Sequence, residues 1–334
     1  MSACPNQLCK CDACTCGDGC TCGVSADVTC DPCKDFKAAK QLEGTMIRLR
    51  SALDKPVEDK PVVLTSESVV TYVQGLNLPQ FEGKNLSGTD SSTGNLNYCF
   101  VVAAEGGSPS VFVKQAPDFV RCLGEDAKLT TDRIRTEVSA ALEFMGRASG
   151  YLPEIYHFDA TSCVCVMQHL AAPYTLLQDF NANGTITDAP AVSVAQFMGK
   201  VHGSTLSKDG GATSDLAASF VNEPLCGITT AYIFTLPFIA DDSNSNEPEL
   251  DERAAALRGS EALQAAIKAA LEVFKTKKQA LLHGDLHSGS VMTDGSDGMV
   301  IDHEFAFFGP AGFDLGLFLA GTHLQHLNQS GGVT

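Results

Sequence analysis

No apolar run in this chain is long enough to cross a bilayer, and its first residues, Met1-Ser-Ala-Cys-Pro5, form no hydrophobic leader. A membrane span and a secretory signal are not expected, and the chain reads as cytoplasmic. Positive charge is also scarce. The 23 Lys and Arg residues stand against 40 Asp and Glu, a formal net charge of -17, and no basic cluster interrupts the acidity. A phosphate backbone would be repelled, so no nucleic-acid partner is expected. Internal repeats are absent as well. With 334 residues and 44% hydrophobic content, the chain can nevertheless bury a substantial core.

Cysteine is thin over most of the sequence and crowded at one end, with nine of the fourteen before residue 34. Cys9 and Cys11, Cys14 and Cys16, and Cys20 and Cys22 form C-x-C pairs on a Gly-, Asp- and Thr-rich background. Thiolates one residue apart can share soft ions such as Zn2+ or Cu+. In a reducing compartment disulfides are disfavoured, and an odd count leaves a thiol unpaired. Residues 1–40 are therefore read as a disordered, metallothionein-like extension, either metal-binding or simply Cys-rich. Residues 41–61 are charged and punctuated by Pro56 and Pro61, which reads as a linker with one helix from Met46 to Leu53.

Beyond the linker the periodicities change. Thr65 caps an apolar stripe running to Gln74, and Asn97–Ala103 and Ser110–Ala116 form a hairpin pattern. Ile134, Val138, Leu142 and Met145 recur at helical spacing, and Ser162–Met167 reads as a strand. A mainly helical stretch follows, with helices expected over Val192–Leu206 and over Glu252–Lys277, the latter turning Leu257, Leu263, Ile267, Leu271 and Phe274 inward.

The chemistry is concentrated in Leu281-Leu-His-Gly-Asp285-Leu-His-Ser-Gly-Ser290 and in Asp302-His-Glu304-Phe-Ala-Phe-Phe-Gly-Pro-Ala-Gly-Phe-Asp314. Apolar strands deliver Asp285, and then Asp302 and Glu304, into small-residue loops. Phosphoryl transfer needs such a set: one carboxylate to orient and deprotonate a hydroxyl, and others to hold a magnesium ion against the phosphates. At positions i and i+2 of an extended segment, Asp302 and Glu304 would face one side, as hard donors for Mg2+. Lys114, in Val111-Phe-Val-Lys114, projects from a strand as a cation for phosphates, and Glu137 on the next helix is its expected partner, with Glu143 as competitor. Asp314 heads an apolar run and reads as a helix N-cap, to which a resemblance to kinase loops adds a hydrogen bond back to the loop of Asp285. His283 and His287 would suit zinc only on a helix, which Gly284 argues against.

These blocks resemble the 5-methylthioribose kinases, small-molecule kinases with a protein-kinase-like fold. The resemblance runs from about Val62 to Leu327 and includes Val113-Lys-Gln-Ala-Pro-Asp-Phe-Val-Arg121 and Asn222-Glu-Pro-Leu-Cys226. It implies an α+β, two-lobed architecture: an N-lobe over residues 62–170 with an antiparallel sheet plus helix, and a mainly helical C-lobe over 171–334. It also implies ATP and Mg2+ as cofactors, a small-molecule sugar as substrate, and transfer to the anomeric hydroxyl of 5-methylthioribose in methionine salvage. By the same resemblance, Asp285 is the catalytic residue, Lys114 and Glu137 serve the nucleotide, and Asp302 and Glu304 bind metal. Gly94, Asn95 and Asn97 would cover the phosphates, Gln168 and Leu170 would meet the adenine, and Ser290 stands where related kinases place Asn. His303 replaces a common Pro. Family members continue with further helices, so the C-lobe reads as truncated. A choline, homoserine or aminoglycoside kinase is the alternative, as is an inactive kinase fold whose cysteines buffer metal. Oligomeric state is left open, a homodimer included.

Overall fold

The computed structural model describes residues 44–92, 94–183, 187–207 and 214–329. Contacts divide the chain into two units, Met1–Asp54 and Lys55–Thr334. Of the first, the described part is helix α1 over residues 44–53, where one helix is expected.

The second unit begins with α2 (Ser66–Gly75), closed by a capping box in which Thr65 accepts from the Ser68 amide and Ser68 accepts from that of Thr65. Strands β1 (Leu86–Asp90), β2 (Tyr98–Ala104) and β3 (Ser110–Gln115) follow, then α3 (Arg133–Arg147), β4 (Ile155–Asp159) and β5 (Val164–Gln168). These five strands form one antiparallel sheet in the order β1-β2-β3-β5-β4. Val69 and Val73 of α2 pack on its apolar face with Phe100, Val102, Val111, Val113, Val164 and Val166. Alternation along β3 sends Val111 and Val113 to that face and therefore Lys114 to the other.

The chain then crosses into the helical lobe: β6 (Thr175–Leu176), α4 (Leu177–Ala182), α5 (Asp188–Thr205), α6 (Asp215–Ser219), α7 (Glu223–Phe234), α8 (Asp251–Arg258) and α9 (Glu261–Thr276). Strands β7 (Ala280–Leu282), β8 (Val291–Thr293), β9 (Met299–Val300) and β10 (Phe307–Gly309) carry the acidic loops, and α10 (Gly312–Gln329) closes the lobe. Helix α5 buries Val194, Phe197, Met198 and Val201, the stripe anticipated. The single helix expected over Glu252–Lys277 is instead two. It breaks at Gly259, and Ser260 restarts it by accepting from the Leu263 amide, so Leu257 ends 58% exposed rather than inward. No helix among the described residues is long and apolar enough to cross a membrane.

Residues 55–61, expected as linker, belong to the compact unit. The Glu58 amide donates to Ala160 O at 3.0 Å, and its carbonyl accepts from Thr131 Oγ1 at 2.9 Å. Gln115, fully buried, fastens the next turn of chain. It accepts from the Leu64 amide and donates to the carbonyls of Val62 and Ser162, all at 2.8–2.9 Å. Replacing it by Leu leaves three part-buried backbone groups without this partner. A loss of about 2 kcal/mol in urea denaturation is expected, and a loss below roughly 0.5 kcal/mol would show that the segment carries no weight.

Candidate functional site

Lys114 sits in the middle strand with Cys99 and Cys165 directly opposite on β2 and β5. Its ammonium is 2.7 Å from Glu137 Oε2, forms a short ion pair with Asp302, and lies 3.5 Å from Glu304 Oε1. Glu137 therefore takes the role over Glu143, which pairs with Arg147 on the same helix at 2.8 Å. Burial works against the Lys114 charge, but Asp302, Glu137 and Glu304 overcome it and hold the group firmly protonated. Glu137, equally buried, is pushed up to about 7 by desolvation, with Lys114 opposing.

Asp302 and Glu304 do not meet this cation as neighbours on an extended strand. Asp302 is in the left-handed region at φ +68°, and His303–Phe305 form a tight turn, so the backbone reverses between the two acids. Both still converge on Lys114. They differ in exposure: the Asp302 side chain is 46% exposed and that of Glu304 is 3%. Burial raises the Asp302 carboxyl, yet the Lys114 ammonium outweighs it and holds the group below the usual range; at Glu304 burial prevails and the shift is upward. Glu304 Oε2 is buried without a hydrogen-bond partner. His303 is buried and kept neutral, with its ring edge-on to His283 and Phe144.

The loop after β7 is fixed by backbone bonds to side chains. His283 Nε2 donates to Ile301 O at 2.8 Å, which leaves Nδ1 to accept from the Asp285 amide at 3.2 Å. Ser290 Oγ donates to Asp285 O at 2.7 Å, and Ser290 O accepts from the Ile301 amide at 3.0 Å. The segment carrying Asp285 is thus stitched to the residue preceding Asp302. The Asp285 side chain remains 35% exposed. Ser290 is 2% exposed and shapes this loop through its hydroxyl.

Asp314 is not an N-cap, because α10 already begins at Gly312. Its buried carboxylate faces the loop instead. It accepts from the amides of His283 and Gly284 at 2.8 and 2.9 Å, with His202 Nε2 at 2.9 Å from Oδ2. Gly284, at φ +87°, has no room for a Cβ beside the Phe305 carbonyl.

Asn97 departs from the phosphate-covering role assigned to it. It is 4% exposed and bridges inward, donating to Glu304 Oε1 at 2.7 Å and accepting from Arg133 Nε at 3.0 Å. The turn before it is held by its carbonyls. Arg121 Nη2 donates to Ser92 O at 2.6 Å and to Gly94 O, while the Cys122 amide donates to Asn95 O at 3.0 Å. Gln168, at the lobe crossing, spends its amide on Glu154 O at 2.8 Å, and Leu170 is 7% exposed beside it. His169, between them, is half-buried with Nδ1 2.8 Å from Ser110 Oγ. The extension cysteines Cys9, Cys11, Cys14, Cys16, Cys20 and Cys22 lie outside the described residues.

Two residues of the site escaped the sequence reading. Arg133 sits four residues before Glu137, on the same helix face, and is 1% exposed; that spacing was the available signal. Asn222, at φ +47°, donates from Nδ2 to the carbonyls of Glu304 and Ala306 at 2.9 and 3.0 Å, fixing the turn that carries Glu304.

Comparison with known proteins matches residues 100–329 to the phosphotransferase enzyme family. Methylthioribose kinase 1 of Oryza sativa subsp. japonica is 34% identical over 246 residues, 71% of this chain and 56% of that protein. The methylthioribose kinases of Bacillus velezensis and Bacillus pumilus are 32% and 33% identical over 271 and 276 residues, each covering 80% of this chain. The chain spans 68% and 67% of those two proteins, and little more than half of the rice protein.

Proposed function

The chain belongs to the phosphotransferase enzyme family, on its methylthioribose kinase branch, and from that premise we propose that it transfers the γ-phosphate of ATP to the anomeric hydroxyl of 5-methylthioribose. The observation that carries the reading is the meeting of Lys114, Glu137 and Asp302 beside the loop that presents Asp285.

In this reading Asp285, part-exposed on a loop whose backbone is bonded to His283 and Ser290, accepts the proton of the sugar hydroxyl as the oxygen attacks the γ-phosphorus and ADP departs. Lys114 swings from Asp302 toward the phosphates while Glu137 keeps it aimed. Among the described residues no group of three or more His, Cys, Asp or Glu side chains is spaced to hold a metal alone. Magnesium fits nonetheless. It is commonly held by one or two carboxylates plus phosphates and water, and Asp302 is half-exposed while Glu304 has an orphaned oxygen. The ion would neutralise charge gathering on the phosphates. Asp302 and Glu304 are the residues to hold it.

The test uses the full chain with ATP, Mg2+ and one acceptor at a time. ADP release with 5-methylthioribose, and a product phosphorylated at the anomeric carbon, are expected. Turnover of choline, homoserine or an aminoglycoside in place of the sugar would overturn the substrate assignment and keep the phosphotransferase chemistry.

A further inference from the structure

His287 has no part in the chemistry above, yet its surroundings are built around it. Its Nδ1 accepts from the Gly289 amide at 3.0 Å, so in the neutral ring the proton resides on Nε2. That nitrogen lies 3.7 Å from Asp285 Oδ2. A Cβ at residue 289 would stand 2.6 Å from Cε1 of the imidazole and 3.0 Å from Nδ1, so glycine there is what admits the ring. Across the loop, α10 presents Gly321, whose added Cβ would fall 3.9 Å from that of His287.

We propose that His287 is a positioning residue for Asp285: with its tautomer set by the Gly289 amide, the Nε2–H engages one carboxylate oxygen and leaves the other to the sugar hydroxyl. The inference rests on Asp285 acting as the base. At 3.7 Å the contact is longer than a hydrogen bond, and such catalytic contacts tighten when substrate fills the site. A purely structural role does not account for the arrangement. The imidazole is 42% exposed and contributes little core, whereas the glycine and the amide act only on its orientation. The charged groups facing it are Asp285 on its own loop and, farther off, Asp302 after β9; the Asp285 interaction draws the imidazole above its ordinary pKa, and burial opposes this.

Three variants and one spectrum test it. His287→Ala should lower kcat by about 100-fold, as displacement of a catalytic group by an ångström does, with KM for ATP and the thermal midpoint unchanged. His287→Gln, whose side-chain amide can donate over similar reach, should recover part of the loss. Gly289→Ala should reproduce the defect without removing the imidazole. Independently of turnover, long-range 15N–1H correlation spectra of the full chain should show the Nε2–H tautomer, with a His287 resonance that moves on Asp285→Asn. An Nδ1–H tautomer, no response to Asp285→Asn, or His287→Ala within twofold of wild-type kcat would overturn the proposal. Absence of ADP release by the unaltered chain would instead remove the role of Asp285, and the spectra would still decide whether the ring is held on the carboxylate.

Discussion

Asp285→Asn lowers kcat with 5-methylthioribose by about 10^2- to 10^4-fold, the usual worth of a positioned general base, or roughly 3 to 5 kcal/mol of barrier. The substitution keeps size and removes only the capacity to take a proton. The loop survives it, because its hydrogen bonds at this position are made by the backbone: the amide donates to His283 Nδ1 and the carbonyl accepts from Ser290 Oγ. KM for ATP stays near its wild-type value, since Lys114, the proposed nucleotide cation, is held by Glu137 and Asp302. Coupled ADP release together with a thermal melt checks both halves. A variant that folds and turns over within tenfold of wild type removes Asp285 from the chemistry.

Asp285 was legible from sequence because its surroundings are local. Two apolar residues, a glycine and a run of small polar residues are enough to specify strand, tight turn and exposed carboxylate. Lys114 was legible for a similar reason, since alternation along one strand decides which face it takes. Elements followed suit where the signal was periodic, as in α2, α3 and α5, and failed where a single cap overrode the period, as Ser260 does between α8 and α9. The site was misread where residues far apart in the chain meet. Asn97 looked like part of a phosphate turn, but its partners Arg133 and Glu304 lie 36 and 207 residues away. For Asp314 the local cap reading failed, while the bond back to the catalytic loop that the family resemblance implies is present, to amides some 30 residues upstream. The extended-strand argument for Asp302 and Glu304 misplaced the backbone between them. The left-handed turn at Asp302, held from outside by Asn222, sets their approach to Lys114.

Arg133→Met costs about 3 to 5 kcal/mol in folding free energy, the range for breaking a buried pair by removing one member. The guanidinium is 1% exposed and its bonds run in four directions. Nε donates to Asn97 Oδ1 at 3.0 Å and lies 3.5 Å from Glu304 Oε2. Nη1 donates to Thr130 O at 2.6 Å, and Nη2 donates to Leu96 O and Phe119 O at 3.2 and 3.4 Å. Met fills much of the volume but strands the Thr130 and Phe119 carbonyls, leaves Leu96 O with the Arg121 amide at 3.4 Å, and leaves the buried Glu304 with Asn97 and the more distant Lys114. Glu304 is already pushed up by burial, so without Arg133 it takes a proton at still higher pH. Its folded value then stands further above its unfolded one, so the stability it lends is present at low pH and is lost as pH rises through the folded value. The variant is therefore weakest at alkaline pH. Adding Glu304→Gln removes the stranded charge and restores part of the loss, which separates the electrostatic share from the broken carbonyl bonds. Urea denaturation of both variants at pH 6 and pH 8 measures this, and a single-variant loss below roughly 1 kcal/mol would mean that Arg133 is not the fastening between α3, the Gly94–Asn97 turn and the acid Glu304.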